Sequence, residues 1–200
     1  MKTRHSLLLA FSTLLAFSAG QATTVIAPGF DQLVGDAEVI FQGTVTDVQS
    51  QWAGEGAQRH IVSYVTFQVE ETLKGDPGAT YTMRMLGGTV GDETMEISDS
   101  PKFARGDRDI LFVENNGTQF IPLVGIMYGR FRLQQDQQSG AQVVLSNERH
   151  PVSDVNRLGR DENGNRFTND HSTPRTNSAA ALSADDFKAA VRAKLSEQTR

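Results

Sequence analysis

HIVSYVTFQVEETLKGD, residues 60–76, decides the fold class. Ile61, Val65, Phe67 and Val69 fall on one side of an extended chain, and Tyr64, Thr66, Gln68 and Glu70 fall on the other. Side chains alternate along a strand, so this pattern predicts a strand with one buried and one wet face, the mark of an antiparallel sheet. Working outward, KGDPG (74–78) is a turn and TYTMRML (80–86) the next strand. Upstream, EVIFQGTVTDVQSQW (38–52) alternates in the same way, with a change of phase near Val48 that predicts a bulge and a glycine, Gly43, that suits a coiled strand.

Further along, DRDILFVENNGTQFIPLVG (107–125) predicts a hairpin turning at Asn115-Asn116-Gly117, where positive φ is available. GRFRLQQD and AQVVLSN, joined through residues 136–140, predict a second hairpin. FDQLVGDA (30–37) places Phe30, Leu33, Val34 and Ala37 on one helical face. Ser183 caps SADDFKAAVRAKLSEQ, with Asp185 and Asp186 in the favoured first turn and Phe187, Val191 and Leu195 forming an apolar stripe. About seven strands flanked by two short helices predict a mainly β protein, a small antiparallel barrel of the oligonucleotide/oligosaccharide-binding (OB) type. The expected divisions are a leader over 1–22, the barrel over 23–147, a polar linker over 148–181 and the C-terminal helix over 182–198.

Residues 1–22 have a basic start (Lys2, Arg4, His5), an apolar run from Leu7 to Ala19 and a small-residue exit, SAGQA, with cleavage expected after Ala22. The run is shorter than the ~20 apolar residues of a membrane span. The expectation is an exported protein, periplasmic or extracellular, with no membrane span in the mature chain. Without Lys2 and Arg4, the 19 basic residues fall to 17 against 24 acidic ones, a formal charge of −7. Nucleic-acid binding needs clustered cations, so no nucleic-acid partner is expected. The chain has no cysteine, which excludes thiol chemistry, cysteine-ligated zinc and disulfide bracing.

LGGTVGDETMEISDSPKF (86–103) raises the main functional question. A phosphate-binding loop needs a lysine and a following helix. Here the glycines precede Asp92 and Glu93, whose charge repels phosphate. Asp92, Glu93, Glu96 and Asp99 match no calcium-loop spacing. DENGN (161–165) begins like a calcium loop, but Arg166 stands where glycine is required and Ser172 where glutamate is required. His60, His150 and His171 form no zinc-protease motif, and no serine-nucleophile motif occurs. No catalytic, metal or cofactor residue is therefore assigned.

Residues 89–102 are expected to be a long loop over the barrel mouth, with Gly87 and Gly88 at a bulge or turn. Gly87, Gly88, Thr89, Gly91, Asp92, Glu93 and Asp99 are the candidate interaction residues. Trp52 is expected in the core. Arg130 and Arg132 are expected on an outward strand face, paired with Asp107 or Asp109.

DAEVIFQGTV (36–45), VTFQVEETLKG (65–75), LGGTVG (86–91), FARGDRDILFV (103–113) and LVGIMYGRFRL (123–133) together resemble a group of exported bacterial proteins of unassigned function, over about half the chain. The first two stretches are also similar to the barrel of tissue inhibitors of metalloproteinases and netrin-like modules. That resemblance implies an OB-type barrel and a protein partner, in the first instance a secreted metalloprotease. The inhibitors use an N-terminal cysteine and disulfides that this chain lacks, so none of their site residues carries over. The expected function is a non-enzymatic protein-binding module, an accessory or inhibitor of a secreted protease. The alternatives are an envelope-polymer hydrolase using the carboxylates of 92–99, and a glycan-binding barrel.

Overall fold

The computed structural model describes residues 26–137, 140–160 and 180–198. The leader, DENGN and His171 lie outside the described residues. Helix α1 (Phe30–Asp36) leads into β1 (Val39–Ala53), β2 (His60–Lys74) and β3 (Thr80–Leu86). Two short strands follow, β4 (Gly88–Val90) and β5 (Glu93–Met95), then β6 (Arg108–Val113), β7 (Arg130–Gln135), β8 (Gln142–Ser146) and α2 (Ala184–Gln198). The main sheet is antiparallel, with six strands in the order β3-β2-β1-β6-β7-β8, and β4 and β5 pair separately. The protein is thus mainly β with two α-helices, as the alternation predicts. The described strand ladder ends at β3 and β8 and does not close on itself.

β1 is the long element at the centre. It pairs with β2 along its whole length and with β6 only over Val39–Thr44. Its register against β2 shifts at Ile40/Phe41, at Gln42/Gly43 and at Val45/Asp47, so bulging begins earlier than the single change of phase near Val48 suggests. Consecutive residues Ile40 and Phe41 point to opposite sides, as strand alternation requires, and both are fully buried because each face of β1 is covered by its own cluster.

Two hydrophobic clusters result. One joins Phe41, Val45, Val65, Phe67, Met83, Met85, Leu111, Val113, Ile121 and Leu123 on one face of the sheet. The other packs Ile40, Ile110, Phe112, Phe131 and Val144 against Phe30, Leu33 and Val34 of α1 and Phe187 and Val191 of α2. β6 serves both, with Ile110 and Phe112 on the helix side and Leu111 and Val113 on the opposite side.

Three expectations need correction. The 107–125 stretch is not a hairpin. Past Val113 only a single bridge, Val113↔Leu123, continues the pairing, and the strand partner of β6 is β7. Asn115 (φ 51°) and Gly117 (φ 97°) do take positive φ, but Asn116 serves the edge of β3. Its Oδ1 accepts from Arg84 N–H at 3.0 Å, and its Nδ2 donates to Thr82 C=O at 2.9 Å. Phe120 C=O accepts from Leu86 N–H at 2.7 Å. The strand count is also larger, because 88–95 forms the β4–β5 hairpin in place of an open loop. Finally, residues 148–160 are built into the fold: Val152 is buried, Pro151 bridges Leu145, and Leu158 packs on the helix-side core.

α2 is docked. Phe187 meets Phe131, Phe30 and Phe112 at ring-centroid distances of 4.8, 6.2 and 6.3 Å. Ser183 Oγ accepts from Asp186 N–H at 3.1 Å and donates to its carboxylate at 2.7 Å, a reciprocal N-terminal cap.

Candidate interaction surface

The glycine stretch leaves β3 and crosses the β1–β2 ribbon. Gly87 N–H donates to Ile61 C=O at 2.8 Å, at φ 93°. A β-carbon there would sit 2.7 Å from Met95 C=O. Gly88, at φ 137°, lies directly over Ser50 and Ser63, and a β-carbon would overlap both hydroxyls. Those two serines bond each other at 2.8 Å, and Ser63 Oγ donates to Gly87 C=O at 2.6 Å. The glycines are therefore required where the hairpin is seated, since only a residue without a side chain permits this approach and this backbone.

Beyond the seat, Thr89 and Thr94 join their hydroxyls at 2.9 Å across the hairpin. Gly91, at φ 61°, and Asp92 make the turn, and Gly91, Asp92, Glu93 and Thr94 are all exposed. Asp92 and Glu93 form no ion pair among the described residues. The structure thus gathers Gly87, Gly88, Thr89, Gly91, Asp92 and Glu93 into one hairpin. Asp99 lies apart, at φ 61° in the turn where Ser100 N–H bonds Ile97 C=O. Glu96 is paired with Lys102 at 2.6 Å, and this lysine, as the larger cause, holds its carboxyl below the usual range.

Three neighbouring features were not legible from the sequence motifs. Ser50 and Ser63 are ordinary strand serines until Gly88 is placed over them. Trp52 is half-buried at the end of the ribbon, with the Arg59 guanidinium 3.8 Å above its ring, and it is not a core anchor. Arg130 faces inward, not outward. It is fully buried, bonded to Asp109 at 3.0 and 2.9 Å, to Asp107 at 2.7 Å and to Lys102 C=O at 2.7 Å, with Phe103 3.9 Å below the guanidinium. The expected pairing partners are the right ones; the direction is reversed. Arg132 takes a looser place beside Asp107 at 3.7 Å and donates to Asn147 C=O.

The carboxylates of β2 are committed to structure as well. Glu70 receives Arg108, Gln42 and Thr44. Partial burial alone would raise its carboxyl, but these donors together hold it below the usual value. Glu71 accepts from Lys188 at 2.7 Å and from Arg192, tying α2 to the sheet. Comparison of the chain with protein-family models, with curated proteins and with solved structures finds no match.

Proposed function

We propose that this chain is an exported, non-enzymatic module that binds another protein, as an accessory or inhibitor of a secreted protease. The observation that carries the proposal is the β4–β5 hairpin. Its base is locked on Ser50 and Ser63 through Gly88, and its tip holds two exposed carboxylates without an ion-pair partner among the described residues. A rigidly seated, solvent-facing tip loses little conformational freedom on association, which favours recognition. An OB-like barrel underlies the proposal. It is supported by segment 114–123, which follows β6 and reaches the edge of β3 through Asn116 and Phe120. Export is supported by the leader pattern of residues 1–22.

The test is a pull-down from envelope and culture supernatant with residues 23–200 as bait, run beside Asp92→Lys/Glu93→Lys. The outcome expected is a stoichiometric secreted protease with the wild-type bait and its loss with the charge-reversed one, at unchanged Tm. Equal recovery by both baits would remove the hairpin from the interface, and recovery by neither would count against a protein partner.

A further inference from the structure

The sheet guards nearly all of its free backbone. The edge of β3 is met by the Asn116 amide and Phe120 C=O. The edge of β8 is met by Leu182, whose C=O accepts from Val144 N–H at 3.0 Å, and by Val152 and His150. Where β6 ends beside β1, Asp107 C=O and Gly106 N–H continue the pairing to Val45 at 2.8 Å each, and Arg105 Nε closes on Thr46 C=O. Beyond that point β1 runs on to Ala53 with β2 on one side only.

The parity of the ladder shows which groups are left open. Arg84 and Leu86 N–H point away from β2, to Asn116 and Phe120, so Met83 and Met85 face β2 and bond Val65 and Ser63. Gly87 N–H on Ile61 C=O continues that alternation. Val62, Tyr64 and Thr66 therefore face β1, where they meet Gln51, Gln49 and Asp47. Val48, Ser50 and Trp52 are left with N–H and C=O directed outward. These backbone groups have no hydrogen-bond partner among the described residues. The stretch VQSQW carries no charge and no proline, the usual devices that protect an edge. Val48 is 37% exposed.

The chain path adds a second feature. From Gly87 beside Ile61, over Ser63 and Ser50 at Gly88, β4 lies across β2 and β1 beside this open edge and leads into the exposed Asp92–Glu93 turn. We infer that the outer half of β1, Val48–Trp52, binds an extended polypeptide segment as an added antiparallel strand, with the acidic hairpin tip selecting basic side chains on it. This rests on the protein-binding reading above and deepens it. Three outward residue pairs supply up to six backbone hydrogen bonds, and the side chains that flank them supply selectivity.

Trp52 is the only tryptophan, so its fluorescence reports on the edge directly. The probes are blocked heptapeptides VKVKVKV and VEVEVEV, titrated into residues 23–200 with site-resolved amide exchange as a second readout. The lysine peptide should give a saturable change in Trp52 emission and slow exchange at Val48, Ser50 and Trp52 by at least about tenfold. The glutamate peptide should bind at least about tenfold more weakly. Val48→Pro removes an outward donor without breaking the β2 ladder, as edge strands allow, and should abolish binding at near-unchanged Tm.

Three open amides at millimolar peptide would overturn the inference, as would protection confined to β3 or β8. Protection of the same amides in peptide-free, dimeric protein would replace the proposed occupant with a second copy. If a secreted protease is captured while these amides stay open in the complex, the module reading stands and the edge inference falls.

Discussion

Arg130 shows how a single residue fixes a local structure. A buried guanidinium is stable only when its donors are used, and here two carboxylates and a carbonyl take them while Phe103 lies beneath. Burial pushes the Asp109 carboxyl up, and Arg130 pulls it back only in part. Arg130→Met should therefore cost about 3–5 kcal/mol in urea denaturation, because it strands a buried Asp109. Arg130→Met/Asp109→Leu should recover most of that loss, since Asp107 is partly exposed and can rehydrate. Gly88 makes the same point for backbone. Gly88→Ala must move two serines and hold an unfavourable φ, and it should lower stability by ~1–3 kcal/mol. Gly91→Ala meets nothing within 4 Å and pays only for its positive φ, about 1 kcal/mol. If the two substitutions cost the same in thermal melts, Gly88 does not seat the hairpin.

At the scale of elements, α2 is held by the Phe187 anchor with Val191 beside it in the core, and by ion pairs from Lys188 and Arg192 to Glu71 and from Lys194 to Asp31. Phe187→Ala should cost ~3–5 kcal/mol in denaturant unfolding, since it empties a site lined by Phe30, Phe112 and Phe131. Asn116→Ala should uncover the β3 edge, costing ~1–3 kcal/mol and promoting self-association detectable by sedimentation. Unchanged stability and a monomeric variant would contradict its role as a strand substitute.

These elements also show what the sequence could disclose. The strand periods of 60–76 and 80–86, the Ser183 cap and the Phe187 stripe are local signals, and each element lies where its local signal puts it. The residues 107–125 mislead because Asn115-Asn116-Gly117 satisfies the turn rule while Asn116 is taken by a strand far away in sequence. Arg130 misleads because alternation assigns it a face but cannot tell that both faces of β6 and β7 are covered here. The hairpin at 88–95 is hidden by its glycines, which read as loop formers until the surface they must approach is known.

For the whole molecule, carboxylates link the parts and set the response to acid. Glu71 is lowered chiefly by its hydrogen bond from Lys188, and Asp107 and Glu70 are lowered because their donors outweigh partial burial. A carboxylate lowered by folding adds stability that is complete above its unfolded value, about pH 4, and is lost as pH falls through the folded value. Asp109, raised by burial, acts in the opposite sense and offsets part of that loss. Tm should therefore drop below about pH 4, and Glu71→Gln should lower Tm at neutral pH while flattening the acid limb. A variant with the wild-type acid limb would show that the α2 linkage carries no proton dependence. Neither core cluster includes a residue of the β4–β5 hairpin or of Val48–Trp52. The measurement that bears most directly on the account is site-resolved amide exchange of residues 23–200 alone and in complex with the captured protein. New protection is expected at Val48, Ser50, Trp52 and the hairpin 88–95. Protection confined to α2 or β8, with the hairpin and the β1 edge unchanged, would contradict it.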